Sequence, residues 1–261
     1  MIKALWTSAA GMAVQQVNLD VISNNLANVN TAGFKKVRPE FQDLLYQTLN
    51  TPGANTTTTT TSPNGIQVGL GAKLVSTNRT FTQGSLKNTG RLLDWAISGP
   101  GFFEVTLPDG TPGYTRDGSF TLDQNGNVVN SSGYPINPAI TIPQGTVGLN
   151  IGKDGTVTVD LGDGVPQNVG QIQLSNFINP SGLKAIGDNL FQVTQASGDA
   201  TVSAPNDIGY GSIEANFLEV SNVDIAEEMV NMIIGQRAYE AISRSIRTAD
   251  QILQEINSLK R

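Results

Sequence analysis

The stretch ISNNLANVNTAGFK, residues 22–35, carries four asparagines in fourteen positions, Asn24, Asn25, Asn28 and Asn30, and then Gly33 and Phe34. Asparagine forms helices poorly and often ends them, and glycine accepts the left-handed conformation that a helix end favours. The residues before it read as a helix. Ile2, Leu5, Ala9, Met12, Gln16, Leu19, Ser23 and Leu26 recur in steps of three and four, a heptad seam with two polar members. The pattern predicts a helix over the first 28 residues, about 40 Å long at 1.5 Å per residue. Gly11 weakens it by about 1 kcal/mol relative to alanine. What this helix packs against decides the fold.

The other end of the chain offers a partner. In SNVDIAEEMVNMIIGQRAYEAISRSIRTADQILQEINSLK, residues 221–260, Ser221 or Asn222 suits an N-cap, and Asp224, Glu227 and Glu228 complement the positive end of a helix dipole. Met229, Met232, Gln236, Tyr239, Ser243, Ile246, Asp250 and Leu253 again step by three and four. A second stripe, Ile242, Ile246, Ala249, Leu253 and Ile256, runs beside it, with Ile233 close to the first. Lys260 and Arg261 suit the negative end of the dipole. No proline interrupts residues 206–261.

Between these ends the hydrophobic period changes to two. GFFEVTL, GSFTLDQNGNVVN, GTVTVDLGDG, QIQLSNF and NLFQVT are short alternating runs set off by Gly, Pro, Asn and Asp, which predicts an all-β module. Residues 48–73, TLNTPGANTTTTTTSPNGIQVGLGAK, belong to neither class. Six consecutive threonines, Thr56 to Thr61, cannot bury enough surface to fold alone, but favour an extended arm where a partner supplies an edge. The expected fold class is therefore α+β. Long N- and C-terminal α-helices form a coiled-coil-like core domain, with an inserted all-β middle domain and an extended Thr-rich arm. The expected divisions are 1–35 for the N-terminal helix and Asn-rich turn, and 36–91 for arm and linker with the Thr-rich segment 51–62. The β-rich outer domain takes 92–210 and the C-terminal helix 211–261.

Composition excludes several function classes. The 261 residues include no cysteine and no histidine, which removes thiolate metal sites, disulfides and the commonest general base. Net charge is −6 and unevenly spread: residues 92–222 hold 3 basic and 13 acidic side chains. An acidic middle argues against nucleic acid, which needs a basic stripe. No run reaches the length of a membrane span, and Thr7, Ser8, Gln15 and Gln16 interrupt any apolar signal core, so no membrane insertion and no cleavable signal peptide are expected. LDQNGN (122–127) is faintly like a calcium loop but lacks the closing glutamate, and reads as a hairpin turn, as does DLGDG (160–164). GLGAK (69–73) and GPGF (99–102) lack the spacing of a phosphate loop. The scattered carboxylates of the middle read as solvated surface rather than a glycosidase pair. No catalytic residue, metal ligand or cofactor is expected.

The two ends carry a resemblance. NNLANVNTAGFKK (24–36) and residues 221–260 resemble the axial proteins of the bacterial flagellum, the rod, hook and hook-associated subunits. EFQDLLYQ (40–47), GIQVGLGAK (65–73), TFTQGSLKNTGRLLDWAISGPGFFEV (80–105) and YTRDGSFTLDQNGN (114–127) look most like the distal-rod branch. The likeness covers most of the chain and is least distinctive over 150–205. One departure is Ile242–Arg244, where the family shows Asn–Ser–Lys; Ile242 extends the apolar stripe and implies tighter packing there.

The resemblance implies a structural, non-enzymatic subunit. Its termini are unfolded when free and become helical on assembly. The asparagine stretch turns the N-terminal helix back toward the β-domain, with amides bonding across subunits. Interface candidates are Leu5, Met12, Leu19, Asn24, Asn25, Leu26, Asn28, Asn30, Gly33, Phe34, Met229, Met232, Ile233, Tyr239, Ile242, Ile246, Leu253 and Ile256. Implied partners are further copies in helical symmetry, other rod and hook subunits, the surrounding basal-body rings and the flagellar export apparatus. The implied location is the rod of the basal body, across the periplasm. A proximal rod or hook subunit is the nearest alternative, and a secreted β-rich adhesin or glycan-degrading enzyme is the alternative of a different class.

Overall fold

A computed structural model describes residues 2–52, 64–162 and 165–258. The Thr-rich segment 51–62 lies outside the described residues except for Thr51 and Pro52. Among the described residues there are two α-helices, α1 (Ile2–Ala27) and α2 (Ile225–Ser258), one 3-10 turn (Pro180–Gly182) and twenty strands.

The chain divides into two compact units. The first joins residues 1–26, 37–78 and 225–261; the second joins 27–36 and 79–224. This corrects the expected coiled-coil-like core with an inserted all-β domain. Strands begin at Val37, ten residues after α1 ends, and the strands Val37–Asp43, Tyr46–Asn50, Ile66–Gly69 and Ala72–Arg79 fall in or border the unit that holds both helices. Residues 27–36, expected to belong with the helix, fold with the β-rich unit instead. The heptad pattern found the helices but not their packing, because apolar residues also line other faces of α1. Val14, Val17 and Val21 are as half-buried as Leu5, Met12 and Leu19.

Within the first unit the two helices run antiparallel. A Cβ on Gly11 would meet Ile242 Cδ1 at 3.4 Å, one on Gly235 would meet Leu19 Cδ2 at 2.9 Å, and Asn25 Nδ2 donates to Glu228 Oε2 at 3.4 Å. Each residue gained along α1 is matched by one lost along α2. Small residues at the two inner crossings let the backbones approach. The chain after the helix packs on α1 as well: Gly71 comes against Ala10, and Lys3 Nζ donates to Gln47.

The second unit is built on an antiparallel sheet in the order 184–187, 190–192, 112–115, 102–106, 174–176, 201–203, with 136–137 also paired to 102–106. Phe102 and Phe103 are adjacent on one strand, so their rings point to opposite faces. Phe103 joins a large core with Trp95, Phe120, Ile136 and Leu174. Phe102 joins an aromatic cluster with Tyr114, Phe177 and Phe191, against which Phe81 packs. A three-stranded sheet (148–151, 156–160, 167–171) and the pair 95–98/212–215 cover the large core. LDQNGN is the turn of a hairpin, with Asp123 N donating to Asn127 O at 2.9 Å.

Candidate functional site

The amide-rich stretch has an intramolecular use. Asn25 is buried and lies two residues before the end of α1. Its Nδ2 donates to Val37 O at 2.8 Å, and its Oδ1 accepts from Val37 N at 3.0 Å. One side-chain amide thus copies a strand partner and closes a twelve-residue loop. Inside that loop two turns follow each other, with Thr31 N bonding Asn28 O and Phe34 N bonding Thr31 O. Gly33 has φ of +69°, and a Cβ there would stand 2.6 Å from Arg116 C and Asp117 N. Only glycine meets both demands.

After Gly33 the chain enters a buried polar cluster in the second unit. Lys35 Nζ pairs with Glu219 Oε1 at 2.5 Å, with both side chains closed to solvent. Lys35 also donates to Thr82 O at 2.8 Å. Glu219 accepts further from Gly84 N at 2.8 Å and from Arg116 NH1 at 3.3 Å, and its own backbone oxygen accepts from Gly33 N at 2.8 Å. Burial pulls the Lys35 ammonium below its ordinary pKa, against the opposing pull of the Glu219 carboxylate. Beside this cluster Asn222 Oδ1 accepts from Lys36 N at 2.7 Å, and Asn222 Nδ2 donates to Thr80 O and Thr82 O. Segments 33–36, 80–84 and 219–222 are thereby stitched into one clasp. They lie next to three of the points where the chain passes from one unit to the other.

The expected interface residues divide by burial. Leu5, Met12, Leu19 and Leu26 on α1, and Met232, Ile242, Ile246 and Leu253 on α2, are half-buried. Met229, Ile233, Tyr239 and Ile256 are exposed, and Ile225, Val230 and Ile234 extend the same exposed apolar row. Asn24 and Asn30 are exposed, Asn28 and Phe34 half-buried, Asn25 and Gly33 buried. Each of the two expected stripes of α2 therefore mixes half-buried with exposed residues, and neither is covered as a whole. The structure assigns Asn25 and Gly33 to the subunit's own folding. Sequence reading did not find Arg116 or Glu219, and it read Asn222 only as a helix cap. Nothing local marks a charge as buried when its partner is 184 positions away, as Glu219 is from Lys35.

No group of carboxylates among the described residues could hold a metal ion, and no helix among them is long and apolar enough to cross a membrane.

Three family models match the chain. Residues 5–35 match the flagella basal body rod protein model. Residues 96–159 match the flagellar hook protein FlgE/F/G D1 domain, and residues 214–259 match the flagellar basal body rod FlgEFG protein C-terminal region. The flagellar basal-body rod protein FlgG of Buchnera aphidicola subsp. Schizaphis graminum is 52% identical over 260 residues, covering 99% of this chain and 100% of the relative. FlgG of Borreliella burgdorferi is 50% identical, with both chains covered in full. FlgG of Caulobacter vibrioides is 49% identical, with 99% of each chain covered.

Proposed function

The chain belongs to the family of flagellar basal-body rod proteins, and on that premise we propose that its two terminal helices are the surfaces through which copies of it join into the rod. The protein is a structural subunit of the flagellar basal body and not an enzyme. It assembles with other rod and hook subunits.

One observation carries the interface assignment. Ile225, Met229, Val230, Ile233 and Ile234 are each about half exposed or more, on the first turns of α2. A soluble chain seldom leaves so continuous an apolar row open unless a partner covers it. The half-buried stripe of Met232, Ile242, Ile246 and Leu253, with Leu5, Met12, Leu19 and Leu26, would set the angle at which that row is presented. Tyr239 and Ile256 would extend it. Asn24 in the last turn of α1, and Asn28, Asn30 and Phe34 on the turn that follows it, would meet a neighbour there; buried Asn25 and Gly33 would contribute by fixing the shape of that turn. Repetition of one head-to-tail contact generates a helical tube, and torque then passes through many such contacts in series. In this reading α1 (Ile2–Ala27) and α2 (Ile225–Ser258) form the wall of the tube, and the basal-body rings are further partners. The export apparatus delivers the subunit.

Placement in the distal rod, rather than the proximal rod or hook, is supported by the paired strands Tyr46–Asn50 and Ile66–Gly69, which expose Tyr46, Leu49 and Ile66. An arm of this kind would bridge neighbours at one fixed length and keep the tube straight.

The test is Ile233→Asp in the full chain. The expected result is a folded monomer that forms no rods in electron micrographs, because an unpaired charge in an apolar interface costs several kcal/mol. Rods of normal length and number would overturn the assignment.

A further inference from the structure

We propose that a pocket of about 310 Å³ in the second unit is a binding site for a carboxylate carried on a short apolar stem. Phe81, Phe102 and Pro180 supply its apolar walls, Gln83 and Asn176 supply amides, and Arg116 is the one charged residue in its lining. The Arg116 guanidinium stands 5.3 Å from the centre of the Phe102 ring and donates from NH2 to Gly99 O at 2.8 Å, and Gly99 lines the pocket too. Arg116 is 4% exposed, yet its Nε is buried with no hydrogen-bond partner.

Charge accounting identifies the ligand class. Glu219 is the one carboxylate shared by Lys35 and Arg116, and its contact with Arg116 is a single bond at 3.3 Å. The cluster therefore holds two cations against one anion, and a buried excess cation favours an added negative charge. A guanidinium fork accepts a carboxylate through two parallel bonds. A phosphate dianion suits the site less well, because it would bring two charges to one net positive charge and a large hydration shell to apolar walls. The carboxylate has two possible sources, an acidic side chain of a neighbouring copy or a free small acid. The first rests on the assembly reading above; the binding itself does not.

The experiment follows the arginine Nε–H resonances of the full-length monomer during titration with sodium propionate, and with propionamide as the uncharged isostere. Propionate should shift the Arg116 resonance saturably and propionamide should not. Arg116→Lys removes the fork and should weaken binding by about tenfold or more. Since that change also touches the folding cluster, Pro180→Trp at the pocket wall is the second variant. It should abolish the saturable shift with the melting curve unchanged. A missing shift, an equal response to propionamide, or undiminished binding by Pro180→Trp each overturns the proposal. Given binding, slower rod assembly in propionate assigns the site to a neighbour's side chain, and unchanged assembly assigns it to a free acid.

Discussion

Glu219 receives the ammonium of Lys35 at 2.5 Å across 184 residues of sequence, in a site from which both side chains are fully closed to water. Taking these charges out of water is costly. The arrangement persists because the carboxylate also accepts a backbone N–H from Gly84 and the ammonium also donates to Thr82 O. Removing one partner of such a pair costs more than the pair contributes, since the survivor stays buried and uncompensated.

That asymmetry orders two substitutions. Glu219→Gln leaves Lys35 and Arg116 as two cations with no anion and should lower stability by about 3–5 kcal/mol. Lys35→Met leaves the Arg116–Glu219 pair intact and should cost less. Urea unfolding of the two variants gives the order; an equal or reversed order would show that the cluster is not electrostatically coupled.

Gly33→Ala should destabilise the second unit by about 1–3 kcal/mol, the scale of a non-glycine residue held at a strained backbone position. Its φ is +69°, and the new methyl would press on backbone atoms of Arg116 and Asp117, which have no rotamer by which to yield. Thermal unfolding read by tryptophan fluorescence reports this directly, because Trp95 sits in that unit's core. A melting point equal to the parent's would refute the close approach.

Tyr114 predicts an alkaline limb. Burial, with the Glu104 carboxylate as second cause, pushes its phenol from 10.0 up to about 12. The folded state therefore holds this proton more tightly than the unfolded chain. The associated stability is fully present below pH 10 and is lost as pH rises toward 12, on the order of 2 kcal/mol in all. Tyr114→Phe keeps the ring against Phe177 and removes the ionisation. The parent should lose more stability than this variant across that window, and parallel curves would contradict the assignment.

Trypsin should distinguish the two ends of the interface region. The Lys35 side chain is fully buried, whereas that of Arg237 on α2 is about three-quarters exposed. Brief digestion of monomer should cleave after Arg237 well before Lys35. Mass spectrometry of early fragments reads the order, and prompt cleavage at Lys35 would mean the clasp is open in solution.

The helices were legible through their period, and α1 ends inside the asparagine stretch; the expected cap was not, since α2 starts at Ile225 and the Asn222 side chain bonds Lys36 N instead. The strands were legible as alternation, since residues such as Val157 and Val159 point inward while Thr156 and Thr158 do not. What stayed hidden is long-range. A heptad pattern says that a face is apolar, not which of its members will be covered, and both stripes of α2 mix half-buried with exposed residues. Likewise a local reading of Asn25 finds a helix terminator. Its pairing with the backbone of Val37 depends on where the chain returns, which no spacing encodes. The charged clasp was illegible for the same reason, because lysine and glutamate are ordinarily surface residues.

Lys36 and Asn222 stand 186 residues apart in sequence and are joined by one hydrogen bond of 2.7 Å. In a rotating shaft this makes the clasp a load path. Tension that enters the second unit along the segment after α1 and leaves along the segment before α2 crosses at the clasp, and the sheets between those two positions are mechanically bypassed. The β-rich unit can then be decorated, enlarged or exchanged by insertion into its loops without being asked to bear strain.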